Sequence, residues 1–135
     1  MVDIDLLFKK LAFIDSCVAD LRHQAHLERL AHDIREERFV EHSLQLAIQA
    51  ALDVAAHIIS DQRLGEPETN RHLFQLLSNN DWITAELSET LQNMAGFRNI
   101  LVHGYAAVDV AILRDIVEHH LDDLTRFSAT IRQQL

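Results

Sequence analysis

The stretch LQLAIQAALDVAAHIIS, residues 44–60, decides the fold class of this chain. Its apolar residues recur at steps of three and four, which is the period of an amphipathic helix and not the alternation of a strand. The apolar set is Leu44, Ile48, Leu52, Ala55, Ile58 and Ile59. Gly65 and Pro67 follow in DQRLGEPETN and mark that segment as a loop. We therefore expect one long helix that stops at this segment.

The same period continues toward the N-terminus and predicts a first helix from Ile4 to near His32. Its expected core face is Ile4, Leu7, Phe8, Leu11, Ile14, Val18 and Leu21. After the loop, Thr69 or Asn70 is expected to cap a short helix through Phe74, Leu76 and Leu77. These elements are all helical, with no strand signal between them.

Two further helices are expected in the second half of the chain. Asp81 is predicted to cap the first of them, and Gly104 to end it as the C′ residue. Its buried stripe is Ile83, Leu87, Leu91, Met94 and Leu101, preceded by Trp82. Asp109 is expected to cap the last helix, whose core face is Val110, Leu113, Ile116 or Val117, Leu121, Leu124 and Phe127.

Composition supports an all-α chain. Among 135 residues, 48% are hydrophobic and 24% are charged, with three glycines and one proline, which argues against disorder and against a turn-rich β fold. The length suits one domain with a core and is too short for two ordinary ones. We predict a single domain over residues 1–135, built as a bundle of four long helices and one short helix.

The net charge, the single cysteine and the N-terminal sequence limit the binding partners and the compartment that we expect. The formal net charge of −9 lowers the expectation of nucleic-acid binding, because phosphate recognition usually leaves a basic footprint. The lone Cys17 lies in an apolar helical pattern and is expected to be a buried thiol in a reducing compartment. The N-terminus lacks the basic start of a signal peptide, and no apolar run reaches about 20 residues. We expect a soluble, cytoplasmic protein.

The stretch FRNILVHGYAA, residues 97–107, places polar side chains in an otherwise apolar helical segment. Arg98 and His103 are five residues apart, which separates them by roughly 140° on a straight helix. A tightened last turn before Gly104, or a two-fold axis between two subunits, would bring them together. The spacing alone leaves both arrangements open.

A symmetric cleft with two histidines and two arginines has a definite chemistry. One imidazole could take the proton of a ribose 2′-hydroxyl while the other protonates the leaving 5′-oxygen. The arginines, with their planar fork of donors, suit a phosphate whose charge grows during the reaction. Such a site would cut RNA, spare DNA and need neither a metal nor a cofactor.

Residues 98–105 resemble a known motif. Arg98-Asn99, three further residues and His103-Gly104-Tyr105 match the R-N-x-x-x-H-x-Y motif of HEPN domains, in particular the HepT (DUF86) toxins of HEPN/MNT toxin–antitoxin pairs. AIQAALDVAAHIIS at residues 47–60 and VEHHLDDLTRF in the last helix also look like their family counterparts. The resemblance covers nearly the whole chain.

The resemblance implies an all-α homodimer that acts as a metal-independent ribonuclease toxin on tRNA or mRNA. Arg98 and His103 would form the composite cleft, and Asn99 would orient the catalytic groups or contact RNA. Tyr105 matches the tyrosine that an MNT-type nucleotidyltransferase antitoxin adenylylates to silence the toxin. An AMP group there would block the phosphate site by bulk and by charge.

The same residues also have structural interpretations. Arg98 could form an ordinary surface ion pair, His103 could complement a helix C-terminus, and Tyr105 could pack its ring on the bundle. Two other functions stay open beside the ribonuclease. One is a catalytically inactive HEPN module that binds a nucleotide or an RNA end, and the other is a docking protein that offers only Tyr105 to an antitoxin.

Three further polar patterns carry weaker expectations. Asp53 and His57, four residues apart, could form a polar pair bordering the cleft, although a structural role is at least as well supported. Arg22, His26 and Arg29 are expected to form one partly basic helical stripe, which could be an ordinary solvated face or, if it flanks the dimer cleft, could supply a local positive field there. The histidine pairs His23/His26 and His119/His120 lack the partners of a zinc site, and no metal is expected.

Overall fold

The computed structural model describes residues 3–103 and 109–135, without the side chain of His103. Within these ranges the chain is helical. The α-helices are α1 (Ile4–Gln24), α2 (Ile34–Gln62), α3 (Asn70–Asn79), α4 (Ala85–His103), α5 (Val110–His119) and α6 (Leu121–Gln134). A short 3₁₀ turn, Leu27–Arg29, lies between α1 and α2. The prediction of an all-α fold is confirmed.

Helix α2 is the centre of the bundle. It packs against each of the other five α-helices, and residues such as Leu44, Ile48 and Ile58 are almost completely buried. By length and composition α2 could also cross a membrane, but 56% of its most apolar window is buried inside the fold. The core helix of a soluble protein has these same features.

Residues 24–36 show why α1 is shorter than the sequence suggested. The prediction that it reaches His32 is wrong, because the backbone turns extended at Ala25. Asp33 caps α2 by accepting a hydrogen bond from the Arg35 backbone N–H, and the Glu36 carboxylate accepts one from the His26 N–H at 3.1 Å. These acids hold the connection that reverses the chain between α1 and α2. Asp33 followed by Glu36 is a capping signal that periodicity overlooks.

The last predicted helix is two helices. His120, with φ −124° and ψ 1°, separates α5 from α6. Its ring lies between two carboxylates, with Nδ1 3.1 Å from Asp123 and Nε2 3.4 Å from Asp115. The apolar period passes through the break unchanged, since Val117 and Leu121 are four residues apart and both are buried. Periodicity therefore gave no sign of it.

Several other sequence predictions can be compared with the structure, and some are confirmed while others are wrong. Thr69 caps α3 and Asp109 caps α5, as predicted. Ile4 and Phe8, expected in the core, are more than 40% exposed. Cys17 is buried as predicted, and burial together with the charge of Asp20 raises the pKa of its thiol.

Candidate active site

Helix α4 carries the Arg98–His103 motif, and its start is fixed by Thr84. The Thr84 hydroxyl accepts a hydrogen bond from the Leu87 backbone N–H at 3.1 Å, as an N-cap does. The predicted cap, Asp81, is wrong: it lies four residues before the helix and adopts a left-handed φ of 63°. The buried Ser88 hydroxyl donates to the Phe74 carbonyl at 3.0 Å and joins α4 to α3.

Arg98 is half-buried on the last turns of α4. Its Nε is buried, and no hydrogen-bond acceptor for it exists among the described residues. No ion pair to Arg98 is present in this part of the chain either, so the surface ion pair considered from sequence is not formed there. A buried donor without a partner costs about 1–3 kcal/mol, which is a reason to look for an anion that binds it.

Asn99 is the neighbouring half-buried polar side chain. Its Oδ1 accepts a long hydrogen bond of 3.4 Å from Nδ2 of Asn70, the first residue of α3. Its own amide N–H groups have no acceptor in the described ranges. Arg98 and Asn99 thus place two sets of donors side by side near the end of α4.

Arg71 holds α3 against α4 close to this pair. Its Nε donates to the Gln92 carbonyl and its Nη2 to Asn93 Oδ1, each at 3.0 Å. The guanidinium lies over Gly96, where an added Cβ would be 3.5 Å from Arg71 Cζ, an ordinary contact. No sequence pattern marks Arg71, and Asn70 is predicted from the sequence only as a possible cap of α3. Nothing in the sequence connects Asn70 to a residue 29 positions away.

The rest of the motif lies at the edge of what the structure describes. Residue 103 ends α4, while its side chain and residues 104–108, with Gly104 and Tyr105, are outside the described residues. Ile100 and Val102, which lie between Asn99 and residue 103 in the motif, are 53% and 41% exposed. Two exposed apolar side chains therefore lie close to Arg98 and Asn99 on the last turns of α4.

The predicted Asp53–His57 pair is not formed. Asp53 accepts from Lys10 Nζ at 3.2 Å and from Gln49 Nε2 at 2.8 Å. The His57 ring instead accepts from the Asp3 backbone N–H at 3.2 Å, close to the start of α1. Both side chains tie α2 to the start or the body of α1, and neither forms a hydrogen bond or ion pair with Arg98 or Asn99 within the described ranges.

The predicted basic stripe is also absent as a helical face. Arg22 is near the end of α1, where it pairs with Asp122 of α6. His26 and Arg29 follow the end of that helix, and His26 Nδ1 is 3.6 Å from Glu28. Because α1 ends at Gln24, the three residues do not share one helix.

No group of three or more His, Cys, Asp or Glu side chains that could hold a metal occurs in residues 3–103 and 109–135, His103's side chain aside. A groove of about 300 Å³ between α4 and α5 is lined by polar side chains that include His120, Asp115 and Asn93. Arg98 and Asn99 do not line it. The polar end of α4 is accordingly the candidate active site.

The chain is similar in sequence to a known protein family and to two curated relatives. A family model described as Ribonuclease HepT-like matches residues 11–131. The chain is 34% identical over 131 residues to the mRNA nuclease HepT of Shewanella oneidensis, covering 96% of this chain and 98% of that protein. It is 33% identical over 94 residues to the tRNA nuclease HepT of Aphanizomenon flos-aquae, covering 66% of this chain and 64% of that one.

A solved structure agrees with these sequence matches. The tri-AMPylated Shewanella oneidensis HEPN toxin, in complex with its MNT antitoxin, superimposes on this chain with a TM-score of 0.89. The two are 34% identical, and the match covers 96% of this chain and 98% of the toxin. The similarity in sequence and in fold therefore extends over nearly all of the helical bundle.

Proposed function

Since the chain belongs to the ribonuclease HepT-like family, we propose that it is the toxin of a HEPN/MNT toxin–antitoxin pair and cleaves tRNA or mRNA in the cytoplasm. The whole of residues 1–135 would act as one HEPN domain. The observation that carries the proposal is the buried Nε of Arg98 beside the amide N–H groups of Asn99, since neither has an acceptor among the residues that the structure describes. Donors without an acceptor can bind an anion, and an RNA phosphodiester is such an anion.

The proposed mechanism uses Arg98 and His103 from both subunits of a homodimer. One His103 imidazole removes the proton of the 2′-hydroxyl, and the 2′-oxygen attacks phosphorus. The bond between phosphorus and the 5′-oxygen breaks, and the second imidazole protonates that oxygen. Arg98 stabilises the charge on the phosphoryl oxygens. The products are a 2′,3′-cyclic phosphate and a 5′-hydroxyl, and no metal or cofactor takes part.

The dimer is supported by two apolar side chains within the motif. Ile100 and Val102 leave large fractions in solvent on the same helix end as Arg98, and a partner subunit that covers this helix end would bury them. A two-fold axis there would bring two copies of the motif together. We expect a dimer in sedimentation at micromolar concentration and a shift to monomer with Ile100→Asp. A monomeric wild type would remove the shared cleft.

Control of the toxin is proposed to act at Tyr105. An MNT-type antitoxin would transfer AMP to this hydroxyl, placing an anionic group next to the phosphate site. The tri-AMPylated toxin of Shewanella oneidensis, found with its MNT antitoxin, supports this assignment. Tyr105→Phe should leave cleavage intact and make the protein resistant to modification, measured by intact mass.

The deciding experiment is cleavage of total cellular RNA, including tRNA, by purified protein in excess EDTA. Arg98→Ala and His103→Ala, each confirmed as folded by circular dichroism, are the test variants. Arg126→Ala, an exposed arginine that pairs with Asp123 and Glu86, is the matched control. We expect cleavage by the wild type and the control only. Intact RNA with unmodified wild type would favour an inactive binding module or a docking protein instead.

A further inference from the structure

Helix α3 reaches the candidate active site through one side chain. Asn70 Nδ2 contacts Asn99 Oδ1 at 3.4 Å, while Arg71 next to it grips α4 at Gln92 and Asn93. The Arg71 contacts fix the α3 N-terminus about one and a half turns before Arg98. Asn70 is therefore held at a set place relative to Asn99.

This contact decides how the Asn99 amide is used. An amide has one oxygen that accepts and one nitrogen that donates two hydrogens. Because Asn70 occupies the oxygen, the nitrogen is the group left for a ligand, and it has no acceptor among the described residues. Asn99 is thus prepared to donate, as the adjacent Arg98 is.

The helical register gives this donor a place in the motif. At about 100° per residue, positions 96, 99 and 103 follow one another along one face of α4. Arg98 lies about 100° around the helix from position 99. Asn99 is consequently on the face of residue 103, one turn before it and adjacent to Arg98.

We propose that Asn70 is a positioning residue: by occupying Asn99 Oδ1, it keeps the Asn99 amide donating to the scissile phosphodiester between Arg98 and residue 103. The proposal rests on the ribonuclease function proposed above and adds a residue that the motif does not contain. Without Asn70, the Asn99 amide can rotate and present its oxygen, which repels an anionic phosphate.

Asn70 is not needed to begin α3. Thr69 is the N-cap, and its hydroxyl accepts from the His72 backbone N–H at 3.1 Å. Alanine is favourable in a helix, so Asn70→Ala should leave the thermal unfolding midpoint unchanged. Any loss of cleavage in this variant then reports on the site and not on folding.

The test measures kcat and KM for RNA cleavage in Asn70→Ala, Asn99→Ala and the double variant. Asn79→Ala, at the other end of α3, is the matched control, since Asn79 only accepts from Gln75. Losing one net hydrogen bond corresponds to roughly fivefold, and we expect Asn70→Ala to lower kcat by about this factor with KM little changed. In the Asn99→Ala background, Asn70→Ala should have no further effect.

The isosteric variant Asn70→Asp separates positioning from space filling. Aspartate keeps the shape but can only accept, so it would turn the Asn99 amide and direct its oxygen toward the phosphate. We expect a larger loss of kcat than with alanine. Aspartate is favourable in the first turn of a helix, so the unfolding midpoint should not fall.

Two results overturn the proposal while leaving the ribonuclease function in place. One is a multiplicative loss in the double variant, and the other is full activity in Asn70→Asp. Binding of a 2′-O-methyl copy of the cleaved RNA, which lacks the attacking hydroxyl, gives a readout without catalysis and should change as little as KM in Asn70→Ala, because the contact acts in the transition state. A wild type that cleaves no RNA overturns the ribonuclease function itself, and the role of Asn70 with it.

Discussion

Arg98 and Arg71 are two arginines near the same part of α4 in opposite hydrogen-bonding states. Arg71 donates from Nε and Nη2 to fixed acceptors on α4, as a structural arginine does. Arg98 buries its Nε without an acceptor in the described ranges. A contribution to stability does not explain an unpaired buried donor, because a side chain without that donor would make the folded state more stable.

This contrast predicts different outcomes for the same substitution. Arg98→Met removes the unpaired donor and keeps an unbranched chain, so the free energy of unfolding should be unchanged or rise by up to about 1 kcal/mol. Arg71→Met removes two hydrogen bonds and should lower it by about 1 kcal/mol. Urea unfolding measures both. A clear loss of stability in Arg98→Met would mean that Arg98 is structural.

The site residues differ in how far sequence could identify them. Arg98 and Asn99 are adjacent in a motif, so the resemblance was enough to predict a role for them. Their hydrogen-bonding state was not predictable, because it depends on Asn70 and Arg71, which belong to another helix. The Asp53–His57 pair shows the opposite error: four-residue spacing permitted the contact, but Lys10 and Gln49 are the partners of Asp53.

At the scale of the elements, the spacing of the apolar residues predicted the helices correctly but missed several of the residues at which they begin or end. Helix cores follow the period because burial of a face is what stabilises them. Ends depend on single caps, as with Thr84 in place of Asp81, and on chain reversals such as that at Ala25. The break at His120 falls between buried positions that keep helical spacing, so only the local geometry reveals it.

The start of α4 can be tested by two substitutions. Thr84→Ala removes the cap of the Leu87 N–H and should lower the free energy of unfolding by about 1 kcal/mol. Asp81→Gly should change it by less than about 0.5 kcal/mol, since relief of the positive φ offsets the added flexibility. Thermal or urea unfolding separates the two. Equal destabilisation by both variants would contradict Thr84 as the cap.

Helix α2 contains an acidic pair that makes its stability depend on pH. Burial raises the pKa of Glu41, and the negative charge of Glu37 one turn earlier raises it further. The folded protein therefore holds this proton more tightly than the unfolded chain, and stability falls as pH rises from the ordinary value of 4.5 through the folded pKa. Glu41→Gln should be more stable than the wild type at pH 7.

The comparison needs unfolding curves for both proteins at pH 4 and pH 7. At pH 4 the two should differ little, because Glu41 is protonated in both states and resembles glutamine. Glu37→Gln is the matched variant, since it removes the neighbouring charge and should lessen the pH dependence of Glu41. An advantage for Glu41→Gln that is the same at both pH values would contradict this cause.

At the scale of the whole molecule, the net charge and the family membership lead to opposite expectations about RNA binding. A charge of −9 argued against RNA binding, yet the chain belongs to a family of ribonucleases. The structure does not resolve this through Arg22, His26 and Arg29, which do not form a common helical face. Arg98 and Asn99 are the donors that the proposed site offers to a phosphate. Recognition of RNA should therefore depend on these side chains more than on a general positive field.

The acidic surface then suits the antitoxin better than the substrate. A nucleotidyltransferase that binds ATP carries positive charge near its nucleotide site, and the proposed modification requires it to approach Tyr105 closely. We expect the complex of toxin and antitoxin to weaken at least tenfold between about 0.1 M and 1 M salt, over which the screening length falls from about 10 Å to 3 Å. Titration calorimetry at both salt concentrations measures this. The proposed toxin dimer, which would be held by apolar side chains such as Ile100, is the internal control and should persist at high salt. Equal affinity for the antitoxin at both concentrations would leave the acidic excess without this role.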